Sequence, residues 1–223
     1  HPALVEVIPC CVDAERFRLA GARAATRRDL GLTNQRVLVY VGALGGWYLT
    51  DEMAEFLALA HAQAAPTFSL ILTQSPPERL TAKLEQLGVP PEQFSVRFVA
   101  PVDIPRYLAA ADVALSFIKP CYSKQFSSPT KVGEYLAAGL PVIFNAGVGD
   151  LDDLLVRANV GIRLSEFNQE SYREALQTVE QLLAETGTAA RCQAVAQQQF
   201  DLVKVGGVRY RRLYQRLLES AQK

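Results

Sequence analysis

The stretch Ser127-Ser128-Pro129-Thr130-Lys131-Val132-Gly133-Glu134-Tyr135-Leu136-Ala137-Ala138-Gly139-Leu140-Pro141-Val142-Ile143 frames the reading of the whole chain. A Ser-Pro pair predicts a helix start, because the Ser128 hydroxyl caps orphan amides and Pro129 needs no N–H at the first helical position. Gly139 predicts its end at Ala138, and Pro141–Asn145 reads as the buried strand that follows. A cation in the first turn opposes the helix dipole, so Lys131 does nothing for the helix itself. Bare amides, the Thr130 hydroxyl and the Lys131 ammonium in one turn suit a phosphate. Glu134, three residues on, shares that face. Phosphate first and hydroxyls one turn deeper is the profile of a nucleotide-sugar site.

Outward from this unit, strand and helix patterns alternate. Predicted strands are Val5–Pro9, Arg36–Val41, Phe68–Thr73, Phe94–Val99, Val113–Ile118 and Gly161–Leu164, with Pro141–Asn145. Predicted helices are Ala22–Leu30, Thr50–Ala64, Glu78–Leu87, Ile104–Ala110, Pro129–Ala138 and Asp150–Val156, then Gln169–Glu185, Thr188–Phe200 and Gly206–Ala221. Repeated strand–helix units with short joins imply an α/β fold: a Rossmann-like, doubly wound, mainly parallel sheet of about six strands with extra C-terminal helices. Ligands of such sheets collect at the C-terminal strand ends. The glycine-rich run Gly42-Ala43-Leu44-Gly45-Gly46-Trp47 and the Ser127 motif both fall there.

The 223 residues are 49% hydrophobic and 21% charged with zero formal net charge, which fits one soluble domain with an appendage and gives no support for nucleic-acid binding. No apolar run approaches the ~20 residues that span a bilayer. The basic stretch Arg209, Arg211, Arg212 and Arg216 is interleaved with Tyr and Leu, and reads as an amphipathic helix, either a packing face or a membrane or partner surface. The chain opens His1-Pro2 rather than with Met, as a piece of a longer polypeptide would. Cys10, Cys11, Cys121 and Cys192 lack metal-ligand spacing, and the two histidines are His1 and His61, so no metal is expected and the thiols read as reduced cysteines of an intracellular domain.

Gly42, Gly45 and Gly46 follow a strand and precede a helix, where glycines permit close approach to a diphosphate or simply a tight turn. Neither the GxGxxG nor the GxxxxGK[ST] spacing is present. Trp47 and Tyr48 face either a ligand, a partner domain or the core. Asp112, between a helix and a strand, reads as a structural hydrogen-bond acceptor. Asp150, Asp152 and Asp153 open a helix, with Gly147 and Gly149 leaving room for a sugar.

In combination these residues resemble the C-terminal, donor-binding half of a GT-B glycosyltransferase of the large retaining group called family 4 or group 1. The landmarks are Ile8-Pro9-Cys10-Cys11-Val12-Asp13 with Phe17, Tyr40-Val41-Gly42, Tyr107-Leu108-Ala109-Ala110-Ala111-Asp112-Val113, and the run from Pro129 to Val142. The resemblance covers nearly all of residues 1–223. It implies a nucleotide-sugar partner, a UDP-, GDP- or ADP-sugar donor, with no cofactor or metal, and transfer to an acceptor hydroxyl with retained anomeric configuration. Glu134 would bind the ribose. Ser128, Thr130 and Lys131 would face the diphosphate, Gly45 and Gly46 would lie near it, and Phe98–Val102, Val99 included, would lie by the base. Lys131 and Glu134 are the candidate catalytic pair, the lysine by neutralising the leaving diphosphate. Residues 206–223 would pack on the protein's own N-terminal domain. The setting implied is cytoplasmic, with any membrane contact peripheral and through the parent protein.

Two departures stand out. The family commonly carries two glutamates separated by seven residues, and the first of those positions is Phe126 here. The basic pair that often follows the first strand is replaced by Leu44-Gly45-Gly46-Trp47-Tyr48, leaving Lys119, Lys124 or Lys131 to supply the charge. A catalytically inactive nucleotide-binding or interaction domain, and half of a sugar-nucleotide epimerase, are the alternative readings.

Overall fold

A computed structural model describes residues 5–63 and 65–221. His1, Pro2 and the Ala64 end of the second predicted helix lie outside them. Six parallel strands form one sheet in the order β3-β2-β1-β4-β5-β6: β1 Arg36–Val41, β2 Thr67–Leu72, β3 Phe94–Arg97, β4 Val113–Ser116, β5 Val142–Asn145 and β6 Gly161–Leu164. The helices between and after them are α1 Ala22–Asp29, α2 Thr50–His61, α3 Glu78–Gln86, α4 Ile104–Ala110, α5 Thr130–Ala137, α6 Leu151–Arg157, α7 Gln169–Ala184, α8 Thr188–Gln199 and α9 Val208–Ala221.

Strand side chains alternate between two apolar layers. Val37, Val39, Ala114, Val142 and Phe144 pack under α4, α5 and α8, whereas Leu38, Tyr40, Leu115 and Ile143 pack under α2, α3 and α7. Burial on both faces explains why the strands read as continuous apolar runs rather than as half-polar ones.

Val5–Pro9 is not a strand. Its backbone runs along the C-terminal helices, where the Val7 carbonyl accepts from the Arg209 guanidinium at 2.6 Å. Only Val12 makes a bridge, to Asp201 beside α8, because no sheet edge reaches this segment. The predicted last helix is also two pieces, a π turn over Leu202–Gly207 capped by the Asp201 carboxylate, then α9.

The strand order reverses between β1 and β4. These two strands pair only at Leu38↔Val113 and Val39↔Ala114, so their C-terminal ends part. The Val41 amide, left without a strand partner on that side, donates to the Tyr135 hydroxyl of α5 at 2.8 Å. That parting is the crevice in which doubly wound sheets bind ligands.

Candidate functional site

α5 and the loop after β1 bound the crevice. Helix α5 starts at Thr130 with Pro129 as its N-cap residue and no side chain capping it. Ser128 therefore does not cap the helix as its sequence position suggested. Pro129 is extended (φ −66°, ψ 110°), which moves the helix start one residue on, and the Ser128 hydroxyl instead accepts from the Cys10 amide at 3.2 Å. Gly133 faces the core: a Cβ there would lie 3.0 Å from Val12 and 3.3 Å from Phe200.

Lys131, the second residue of α5, is not solvated. It is 9% exposed, with Nζ 4.4 Å from the centroid of the Tyr40 ring and 4.1 Å from that of Tyr48. Its ammonium has no hydrogen-bond partner. Burial pushes its pKa down to about 7, against a small opposing pull from Glu134. Glycine is required at position 42, where φ is +146° and a Cβ would sit 2.9 Å from this Nζ.

Gly42 and Val41 line two adjoining cavities. One, of about 450 Å³, is also bordered by Trp47, Tyr48, Lys124, Ser128, Thr130 and Lys131. The other, of about 300 Å³, is bordered by Gln74, Val99, Pro101, Ile104 and Glu134. Glu134 is half-buried, and its carboxyl pKa is raised by burial, with Arg16 and Lys131 pulling the other way. Thus Lys131 and Thr130 meet in one cavity, and Glu134 and Val99 in its neighbour. Gly45 and Gly46 line a third cavity of about 410 Å³ with Lys119 and Arg79, and the Gly45 amide is already taken by the Thr50 hydroxyl at 2.7 Å.

Asp112 is structural. Its carboxylate accepts from the Val37 amide at 2.8 Å and pairs with Arg23 and Arg27 at the opposite end of the sheet. His61 bonds Ser69 at 2.9 Å, and it lines none of these three cavities. Asp152 accepts from the Gly147 amide at 3.4 Å. Among the described residues no cluster of His, Cys, Asp and Glu could hold a metal, and no helix is long and apolar enough to cross a membrane. The tyrosine cage around Lys131 had no separate sequence signal, since Tyr40 sits in an apolar strand and Tyr48 in a turn.

The family described as glycosyl transferases group 1 matches residues 22–199, which hold the whole sheet and most of both layers of its core. The chain belongs to the group 1 glycosyltransferases. No curated protein matches it. Among solved structures, WaaG, a glycosyltransferase involved in lipopolysaccharide biosynthesis, is 24% identical with a TM-score of 0.75, over 96% of this chain and 56% of that one. HepE of Anabaena, in complex with UDP and glucose, is 20% identical with a TM-score of 0.76, over 96% and 58%. The C-terminal domain of LpcC, a group 1 protein of Francisella tularensis, is 18% identical with a TM-score of 0.59, over 86% of this chain and 96% of that one. This group 1 domain therefore has the GT-B type of fold and spans 56–58% of the length of WaaG and HepE.

Proposed function

We propose that this domain is the donor-binding half of a retaining glycosyltransferase. Base and ribose occupy the cavity bordered by Val99 and Glu134, and the diphosphate occupies the one bordered by Thr130 and Lys131. The observation that carries the reading is the buried, unpartnered Lys131 ammonium one helical turn from Glu134, with a cavity open beside each. A buried cation without a partner is costly, and an anion entering beside it removes that cost. As the bond from sugar to diphosphate breaks, negative charge grows on the leaving oxygens, and an ammonium already stripped of water stabilises it strongly. The Glu134 carboxylate accepts from the two ribose hydroxyls, which fixes the register of the nucleotide.

HepE has been seen with UDP, with UDP and glucose, and with UDP-glucose, which supports a nucleoside diphosphate sugar as the donor class for this chain. The acceptor hydroxyl comes from the other half of the cleft, supplied by an N-terminal domain of the same protein. α9 serves that domain as its seat, presenting exposed Tyr210, Tyr214, Leu217 and Leu218.

Calorimetric titration with UDP, GDP and ADP tests the binding step: saturable binding of at least one is expected, and none at millimolar concentration sinks the reading. The parent protein, given matched sugar nucleotides, should then yield a product with the donor's anomeric configuration; inversion removes the retaining assignment. Exposed Phe126, at the position where the family commonly has its first glutamate, favours a second reading, a nucleotide-binding domain without turnover. Binding with no transfer by the full-length parent would select it.

A further inference from the structure

Resting on the donor-site reading, we propose that Lys124, parked on the indole of Trp47, is the second cation of the diphosphate clamp and stands in for the basic pair missing from the loop after β1. The cavity bordered by Lys131 has two charged side chains in its lining, Lys124 and Lys131, and no carboxylate. Lys119 lines the neighbouring cavity with Gly45 and Gly46 instead. A diphosphate carries more than one negative charge, so a single buried ammonium leaves it incompletely paired.

The backbone around Lys124 is held by neighbouring loops, whereas among the described residues its ammonium makes a contact with the Trp47 ring and neither a hydrogen bond nor an ion pair. Lys124 lies in the short 3-10 turn Tyr122–Phe126, whose end rings stack edge-on at 5.6 Å and so bracket it. Its carbonyl accepts from the Ser127 amide at 3.2 Å and the Gly149 amide at 2.9 Å. Gly149 (φ +59°) is what lets the two loops meet, because a Cβ there would overlap the Ser127 carbonyl oxygen. On the facing side, the Trp47 carbonyl accepts from the Lys119 amide at 2.8 Å. The Lys124 Nζ thus rests 4.9 Å from the indole centroid, at the rim of the cavity. A half-exposed cation–π contact is weaker than a charge-assisted hydrogen bond to phosphate, so an entering diphosphate draws the ammonium off the ring.

Trp47 is the one tryptophan of the chain, so its emission reports this step directly. The intact chain is titrated with UDP, GDP, ADP, uridine and inorganic pyrophosphate, following tryptophan emission and heat together. The expected result is a saturable emission change with a nucleoside diphosphate and with pyrophosphate but not with uridine. Lys124→Met should bind the preferred diphosphate about 10-fold more weakly with uridine affinity unchanged, and Lys124→Arg should recover most of the loss. A purely structural role for Lys124 would move uridine and diphosphate alike and would shift the melting temperature, which is expected to stay put. Wild-type diphosphate affinity in Lys124→Met, or binding by heat with no change in Trp47 emission, overturns the clamp while leaving the donor-site reading standing. Absence of diphosphate binding by the wild-type chain overturns both.

Discussion

The Lys131 ammonium lies 4.1 Å from the centre of the Tyr48 ring, with the Tyr40 ring at 4.4 Å and no hydrogen-bond acceptor in reach. Its folded pKa of about 7 lies below that of a free lysine. Between those two values the unfolded chain holds a proton that the folded chain has released. Stability therefore rises as pH is raised through the window from about 7 to about 10. Melting temperatures measured across it should climb more steeply for the wild type than for Lys131→Met. Parallel profiles would show that the ammonium is not desolvated as found.

The same proton gives a binding signature. A phosphate beside Lys131 favours its charged form, so a diphosphate that binds at pH 8 should take up a proton, approaching one per site. Titrations in buffers of different ionisation heat measure that number. Lys131→Met should show neither the uptake nor most of the affinity, and uptake that persists in the variant would assign it to another group.

Glycines 42 and 45 should separate by mechanism. A Cβ at 42 would press on Lys131 Nζ at 2.9 Å and Tyr40 Oη at 3.2 Å at a φ of +146°, whereas at 45 (φ +77°) it meets nothing within 4 Å. Gly42→Ala is expected to cost about 1–3 kcal/mol and to weaken nucleotide binding about 10-fold. Gly45→Ala should cost about 1–2 kcal/mol through backbone strain alone, with affinity within about twofold of wild type. Equal affinity losses would put Gly45 at the phosphate after all.

How far the sequence carried depends on the range of the interaction that decides each feature. β1, α4 and β6 lie within the predicted bounds to the residue, because apolar runs and Gly or Pro punctuation are local signals. The doubly wound, mainly parallel sheet followed from alternation of strand and helix; the order of its strands is read from the structure. Val5–Pro9 misled because an apolar, β-branched run is indistinguishable from a strand until its partner is known. At the site, Thr130, Lys131 and Glu134 were legible as one helical face. The burial of Lys131 was not, for it depends on Tyr40 and Tyr48 arriving from residues some 80 to 90 positions away. The position of Lys124 likewise depends on a contact distant in sequence, the Gly149 amide donating to its carbonyl.

Asp112 offers a control in which stability and binding come apart. It accepts from the Val37 amide and holds Arg23 and Arg27 at the end of the sheet remote from the cavities. Asp112→Asn leaves two guanidinium groups facing a neutral amide and should cost about 2–3 kcal/mol. Chemical denaturation should show the midpoint falling with an unchanged slope. Nucleotide affinity of the folded fraction should match the wild type, and a large loss would mean that the sheet end is coupled to the crevice.

Asn145 should show the opposite coupling. Its buried amide oxygen accepts from the Ile118 amide at 2.8 Å, and its amide nitrogen donates to the Ile118 carbonyl at 2.9 Å and the Ala146 carbonyl at 3.0 Å. Ile118 in turn makes an antiparallel bridge with Tyr48, so the Asn145 side chain helps to hold the segment whose ring covers Lys131, together with the backbone bonds from Leu49 to Phe117 and from Lys119 to Trp47. Asn145→Ala strands the Ile118 amide and carbonyl and should cost about 2–4 kcal/mol. Asn145→Asp keeps the acceptor but turns a carboxylate toward two carbonyl oxygens, and should be no milder above the carboxyl pKa. In both variants the Tyr48 segment is expected to loosen, letting water reach Nζ and the Lys131 pKa climb back toward that of a free lysine. Proton uptake on diphosphate binding at pH 8 should then shrink in step with the lost stability. An Asn145 variant that is destabilised yet takes up protons like the wild type would uncouple the strand end from the lysine cage.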